Sequence, residues 1–117
     1  MRHLNRLNKL GLPADQRKAM LRSIVRGLII NESVKTTCVR AKATQRVAEQ
    51  LVSYAKRGDL HARRLALKVL PEAAVVAKLF SEIGPRYTDR NGGFTQVIRA
   101  GMRRGDSAEM AILRWTE

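Results

Sequence analysis

Two stretches late in the chain carry residue types that could hold a phosphate: GPRYTDRNGG at residues 84–93 and GMRRGD at residues 101–106. Glycines let backbone N–H groups approach an anion, and arginines add a planar fork of charged donors. Arg86 and Arg90 supply charge in the first stretch, and Tyr87 offers either a ring for a base to stack on or a plug for a sheet edge. Asn91, Gly92 and Gly93 tolerate positive φ and therefore shape a turn. Arg103 and Arg104 mark the tip of the second stretch, where an arginine pair can reach into a groove. A nucleotide-hydrolysing loop would need GxxxxGK followed by Ser or Thr, or GxGxxG, opening a helix after a strand. Neither spacing occurs, and the residues after Gly93 read as strand, so no helix N-terminus faces a triphosphate.

Other chemistries find less support. His3 and His61 lie far apart, and Asp59 near His61 reads as a helix cap, so no metal site is expected. Cys38 is the only cysteine, which excludes an internal disulfide. In VKTTCV it reads as a small buried residue. No Ser-His-Asp or paired-carboxylate arrangement can be nominated. The expectation is a non-enzyme with no cofactor and no small-molecule substrate. A nuclease using His61 with a nearby acid is the enzymatic alternative.

Charge says more. Lys and Arg total 23 against 10 acids, a net charge of +13, and sixteen of the 23 are Arg. Self-repulsion of this size disfavours the compact state unless a polyanion is near. Nucleic acid is the first candidate and an anionic membrane surface the second. A membrane-surface helix would need an exposed apolar face; the first helix's apolar face is required as core. The basic N-terminus lacks the apolar run of a signal peptide, and no stretch is long enough for a transmembrane helix. The chain therefore reads as soluble and unprocessed. With 117 residues, 44% hydrophobic and 4% aromatic, it has one domain's worth of aliphatic core. Cations outnumber acids nine to two over residues 1–40, eight to four over 41–83, and six to four from Gly84 onward.

The elements that would position these residues follow from periodicity. Residues 1–12 carry Arg2, His3, Arg6 and Lys9 without an acid. Leu4, Leu7 and Leu10 could make a short helix, but Gly11 and Pro13 interrupt it, so a basic arm that orders on a partner is favoured. The domain spans 13–117. Asp15 is an expected N-cap. Leu21, Ile24, Val25, Leu28 and Ile29 then form one helical face, with Lys18, Arg22 and Arg26 as a basic stripe and Asn31 as a stop. Residues 33–39 read as a strand, and 40–57 as a helix ended by Gly58. Asp59 caps a third helix, with Leu60, Leu65, Leu67, Val69 and Leu70 as its apolar residues and Pro71 as its end. On it, Arg63 and Arg64 suggest a phosphate-tracking surface. A fourth helix covers about 72–83, stopped by Gly84 and Pro85. FTQVIRA and SAEMAILRW read as strands joined by a hairpin-type connection. The fold class is α/β (α+β): a single two-layer domain ordered helix, strand, three helices, two strands, with a small mixed three-stranded sheet covered by helices.

These residues do not choose RNA over DNA. No helix-turn-helix, zinc-finger or aromatic RNP pattern occurs, which leans toward an irregular RNA surface. A DNA-binding, nucleoid-associated basic protein is the alternative, motivated by charge alone.

End to end, the segments MRH, LGLPADQRKAMLR, VKTTCVRAKA, AKRGDLHARR, KLFSEIGPRYTDRNGGFT and RRGDSAEMA resemble the bacterial large-subunit ribosomal protein L-seventeen family. The resemblance implies a mixed α/β, non-catalytic structural constituent of the large ribosomal subunit, acting in translation in the cytoplasm. It implies binding to large-subunit ribosomal RNA near the rim of the peptide exit tunnel, with neighbouring ribosomal proteins as further partners. By the same resemblance, Arg2, His3, Arg6 and Lys9 match an RNA-penetrating arm. Arg17, Lys18 and Arg22 match a basic first helix, and Lys35, Thr36, Arg40 and Lys42 a basic segment around the first strand. Arg86, Tyr87, Arg90, Asn91, Gly92 and Gly93 match a signature loop, and Arg103 with Arg104 a late one. The arm departs from the family in being less basic, with Leu4, Asn5, Asn8 and Leu12. Asp106 and Glu109 read as structural.

Deleting residues 1–12 is expected to weaken RNA binding more than it lowers the melting temperature, because an arm buries little. Parallel thermal melts and RNA titrations check this; comparable losses in both would make the arm part of the core.

Overall fold

The computed structural model describes residues 10–116; the arm residues Arg2, His3, Arg6 and Lys9 lie outside them. Helix α1 spans Ala14–Asn31 and buries Val25, Leu28 and Ile29. Its cap differs from expectation. Pro13, not Asp15, holds the N-cap position, with φ −57° and ψ 156°, and no side chain caps it. A proline fixes the entering backbone without needing a donor. Asp15 falls inside the first turn, where a carboxylate still meets the positive helix end.

Strand β1 is Ser33–Thr37 and helix α2 is Cys38–Arg57, so the strand ends two residues early and the helix starts two early. The reason is burial. Cys38, Ala41, Thr44, Ala48, Leu51, Val52 and Ala55 turn inward at helical spacing, while Val39 is 52% exposed. Packing overrides the β preference of the Val-Lys-Thr-Thr-Cys-Val run. The buried Thr44 hydroxyl donates to the Arg40 carbonyl at 2.7 Å, so it is satisfied. Gly58, at φ 68°, ends α2 as expected.

Helix α3, Leu60–Val69, starts on Asp59, whose carboxylate accepts the Ala62 N–H at 2.7 Å. Within the helix Ala62 and Ala66 are fully buried; of the expected apolar residues Leu70 is buried just past its end, Leu67 and Val69 pack partly against the core, and Leu60 is 63% exposed. Leu60 sits about 200° around the helix from Ala62. Two alanines facing the core let α3 lie close to α2 and α4.

Helix α4, Ala73–Lys78, does not stop at Gly84 and Pro85. It runs on through a π-turn, Leu79–Ile83, and a last turn, Gly84–Arg86. The Gly84 N–H donates to the Leu79 carbonyl across the widened turn. Pro85 follows directly on the widened turn, in the first turn of the closing segment. Gly84 is buried and has an ordinary helical φ of −53°. A Cβ there would lie 3.0 Å from the Ala55 Cβ and 3.2 Å from the Ala55 carbonyl oxygen. This glycine permits close approach of α4 to α2; it is no helix stop. GPRYTDRNGG is thus helical for its first three residues.

Strands β2 (Thr95–Met102) and β3 (Glu109–Trp115) form the late hairpin. The sheet order is β1-β3-β2 and both pairings are antiparallel. The expected mixed sheet is therefore corrected: β1 and β2 run the same way, but β3 lies between them. Ala111, Leu113 and Trp115 of β3 are buried with the helices on one face, opposite Thr36, Val34 and Thr95. Met110, Ile112 and Arg114 occupy the other face with Lys35 and Ile98.

Gly84→Ala is expected to destabilise the domain by about 1–3 kcal/mol through overpacking. Urea unfolding measures it; wild-type stability would mean that the α2–α4 contact yields easily.

Candidate nucleic-acid interface

Acids are scarce, so the first question is which cations they hold. Among the described residues, Glu72 pairs with Arg26 at 2.6 Å, Asp59 with Arg57 at 3.3 Å, and Glu109 with Arg99 at 2.8 Å. Glu32 takes Arg86 through both carboxylate oxygens, at 2.7 and 2.8 Å, and has Lys78 at 3.8 Å. Asp106 takes Arg103 at 3.1 and 2.5 Å. These arginines serve the fold before they can serve a ligand.

Glu32 is the most demanding of these acids. It has φ 69°, a left-handed conformation that glycine would adopt without penalty, and closes α1 by donating its N–H to the Leu28 carbonyl. A Cβ in that region costs about 1–2 kcal/mol. The side chain offsets this by binding α4 and its last turn. Hydrogen bonds from Arg86 hold the Glu32 carboxyl below its ordinary value of 4.5, against partial burial, which pushes it up.

The GPRYTDRNGG residues separate into distinct roles. Tyr87 is 3% exposed; its hydroxyl donates to the Thr116 carbonyl at 2.6 Å and its ring lies 5.3 Å from Phe94. Of the two readings, the plug holds: no ring face is left for a base, and Tyr87 as a stacking residue is corrected. Arg86 is turned to Glu32. The Arg90 N–H donates to the Tyr87 carbonyl, and the Arg90 carbonyl accepts from Lys56, whose ammonium lies over Phe94 at 5.2 Å. Gly92 and Gly93 have φ of 85° and 64°, the turn that Asn91-Gly92-Gly93 implied. A Cβ on Gly93 would lie 3.9 Å from the Arg90 guanidinium, so that side chain folds beside the turn. Asn91 is exposed.

In GMRRGD, the Arg103 hydrogen bonds, helped by the Ala108 N–H, hold Asp106 at about 2. Arg103 thus closes its own turn, and Arg104 stands exposed beside it. On α3, Arg63 and Arg64 are both exposed, and the Arg63 guanidinium lies 4.9 Å over the Phe80 ring. Thr36 is half-buried and shares the covered sheet face with Ala111. Arg17 is half-buried; Lys18, Arg22, Lys35, Arg40 and Lys42 are exposed.

Three outward pairs one helical turn apart therefore have no acidic partner among the described residues: Lys18 and Arg22 on α1, Lys42 and Arg46 on α2, Arg64 and Lys68 on α3. Sequence reasoning used the four-residue step on α1 and missed Arg46 and Lys68, which show the same step. Arg114 was missed too; its alternation on β3 places it on the uncovered sheet face, where it donates to Gln96 at 3.3 Å. Among the described residues no three or more His, Cys, Asp or Glu side chains gather as for a metal, and no helix is long and apolar enough to cross a membrane.

The sequence profile described as Ribosomal protein L17 matches residues 20–116. The chain belongs to the ribosomal protein L17 family. It is 54% identical over 105 residues to the large ribosomal subunit protein bL17 of Symbiobacterium thermophilum, covering 90% of this chain and 93% of that one. The proteins of the same name from Clostridium botulinum (strain Loch Maree) and Clostridium beijerinckii are 53% and 52% identical over the same shares. This L17 family member is accordingly a structural, non-enzymatic constituent of the large ribosomal subunit, working in translation in the cytoplasm. In an L17 protein the glycine-rich stretches have no turnover to perform, and the internal ion pairs hold a shape.

Glu32→Gln should cost about 1 kcal/mol at neutral pH, since the pair with Arg86 is partly solvent-exposed. A carboxyl depressed on folding contributes fully above its ordinary 4.5 and loses its contribution as pH falls through the lower folded value. The gap between wild type and variant should therefore close on acidification below 4.5. Chemical denaturation across pH 3–7 measures it; a constant gap would exclude the ion pair as its source.

Proposed function

We propose that this protein binds large-subunit ribosomal RNA through its outward basic pairs and its N-terminal arm, at the rim of the peptide exit tunnel and in contact with neighbouring ribosomal proteins. The supporting observation is the division of cations. Arg26, Arg57, Arg86, Arg99 and Arg103 are held by acids, while Lys18–Arg22, Lys42–Arg46 and Arg64–Lys68 have no acidic partner among the described residues. Lys35 and Arg40 at the β1–α2 corner, Arg17 and the loop residues Arg90 and Arg104 extend that surface, and Arg2, His3, Arg6 and Lys9 belong to it as the arm. Asn91, Gly92 and Gly93 contribute by shaping the turn that carries Arg90. Phosphate contacts position such a protein on folded RNA, and the fold supplies the shape that selects the site.

Titration of a large-subunit RNA fragment over a salt series tests this. For a duplex each phosphate contact contributes about −0.9 to the log–log slope. Lys42→Ala with Arg46→Ala should make the slope shallower by up to about 2, whereas Arg103→Ala should lower thermal stability and leave the slope alone. An unchanged slope for the α2 pair would overturn the assignment, and equal affinity for duplex DNA at physiological salt would favour the nucleoid alternative.

A further inference from the structure

Between α1 and the link joining α3 to α4 lies a groove of about 310 Å³. Its floor is apolar: Leu70 and Val75 are 3% and 5% exposed, and Pro71 lies open beside them. Arg22 and Arg26, one turn apart on α1, line one side and Glu72 the other, and the Arg26–Glu72 pair bridges the two sides at one end of the groove. Glu72 accepts from the Arg26 Nε at 2.6 Å, which fixes the guanidinium while leaving its other donors for a ligand. Arg22 has no acidic partner among the described residues and continues the exposed step from Lys18.

We propose that this groove receives one unstacked nucleobase of the bound RNA, extruded from a strand whose phosphates lie on Lys18 and Arg22. The inference rests on the RNA-binding reading above. A nucleobase has flat apolar faces and a polar edge, which the groove matches in the same order. The Pro71 ring and the aliphatic floor meet a face, and the Arg26 guanidinium offers a stacking plane. The edge meets the Glu72 carboxylate and the free Arg26 donors. The volume suits a single base and its sugar better than a folded element. Two arginines against one carboxylate leave the rim cationic, so a base carried on a phosphodiester is attracted. A basic protein segment, or a second copy of this +13 chain, is repelled.

Ala19 lines the groove from the exposed side of α1, so Ala19→Trp fills it without entering the core. Ala77→Trp, on an exposed position of α4 outside the groove, is the control. With the full chain and a large-subunit RNA fragment, Ala19→Trp should weaken binding about tenfold, within the worth of one stacked base. The control should bind like wild type, and both should keep its melting temperature. Chemical probing should show one base protected by the wild type and reactive with Ala19→Trp. If Ala19→Trp misfolds, Ser23→Trp fills the same groove one turn on. Wild-type affinity and protection for the filled groove, while Lys18→Ala with Arg22→Ala still weakens binding, would overturn the proposal alone. A loss of protein crosslinks in the subunit with no change in base reactivity would also overturn it, assigning the groove to a peptide. RNA affinity indifferent to both the groove and the α1 cations would overturn the RNA reading itself.

Discussion

The C-terminal end of α1 is where the fold is tied together. A helix leaves its last carbonyls unpaired and carries partial negative charge there, and α1 has no basic residue in its last turn to answer it. Distant parts of the chain do so instead. Leu28 receives the Glu32 N–H and the Trp115 indole at 3.2 Å, and Ile30 receives Lys78 at 3.0 Å. Trp115 brings the end of β3, and Lys78 brings α4. Glu32, one residue past the helix, adds Arg86 from the turn that follows the π-segment. One helix terminus thus sets where the sheet and the fourth helix stand, and β1 departs from the same point.

A constraint of charge follows. With 10 acids against 23 cations, the chain cannot neutralise itself. Among the described residues five acids hold cations, and three of them do so at joints: Glu72 between α1 and the α3–α4 link, Glu32 between α1 and the last turn, Asp106 inside the hairpin loop. What remains outward is cationic by subtraction. Arginine therefore has two roles here that composition cannot separate, and proximity to a carboxylate is what assigns them.

Features governed by neighbouring residues were legible in the sequence: the Asp59 cap, the Gly58 stop, the Asn91-Gly92-Gly93 turn and the apolar face of α1 all obey local rules. Features governed by distant contacts were not. Nothing near Gly84 announces Ala55 as the surface it must approach, so a glycine before a proline read as a stop. The β-branched run at residues 34–39 hid a helix start, because only the core shows that Cys38 and Ala41 point the same way. Glu32 gave no sign of its left-handed backbone, since its justification lies in Arg86, 54 residues on. For the surface, the four-residue step was visible in all three helices, but which arginines were already engaged was not.

Cys38 gains significance from its position. It is 4% exposed in the first turn of α2, directly after β1, and no other sulfhydryl exists in the chain. A thiol reagent can reach it only when that corner opens, whether locally or with the whole domain. The rate at which the protein becomes labelled is then a clock on one joint, ticking without any added probe. In an assembled subunit, the same clock would read how far the surroundings slow that opening.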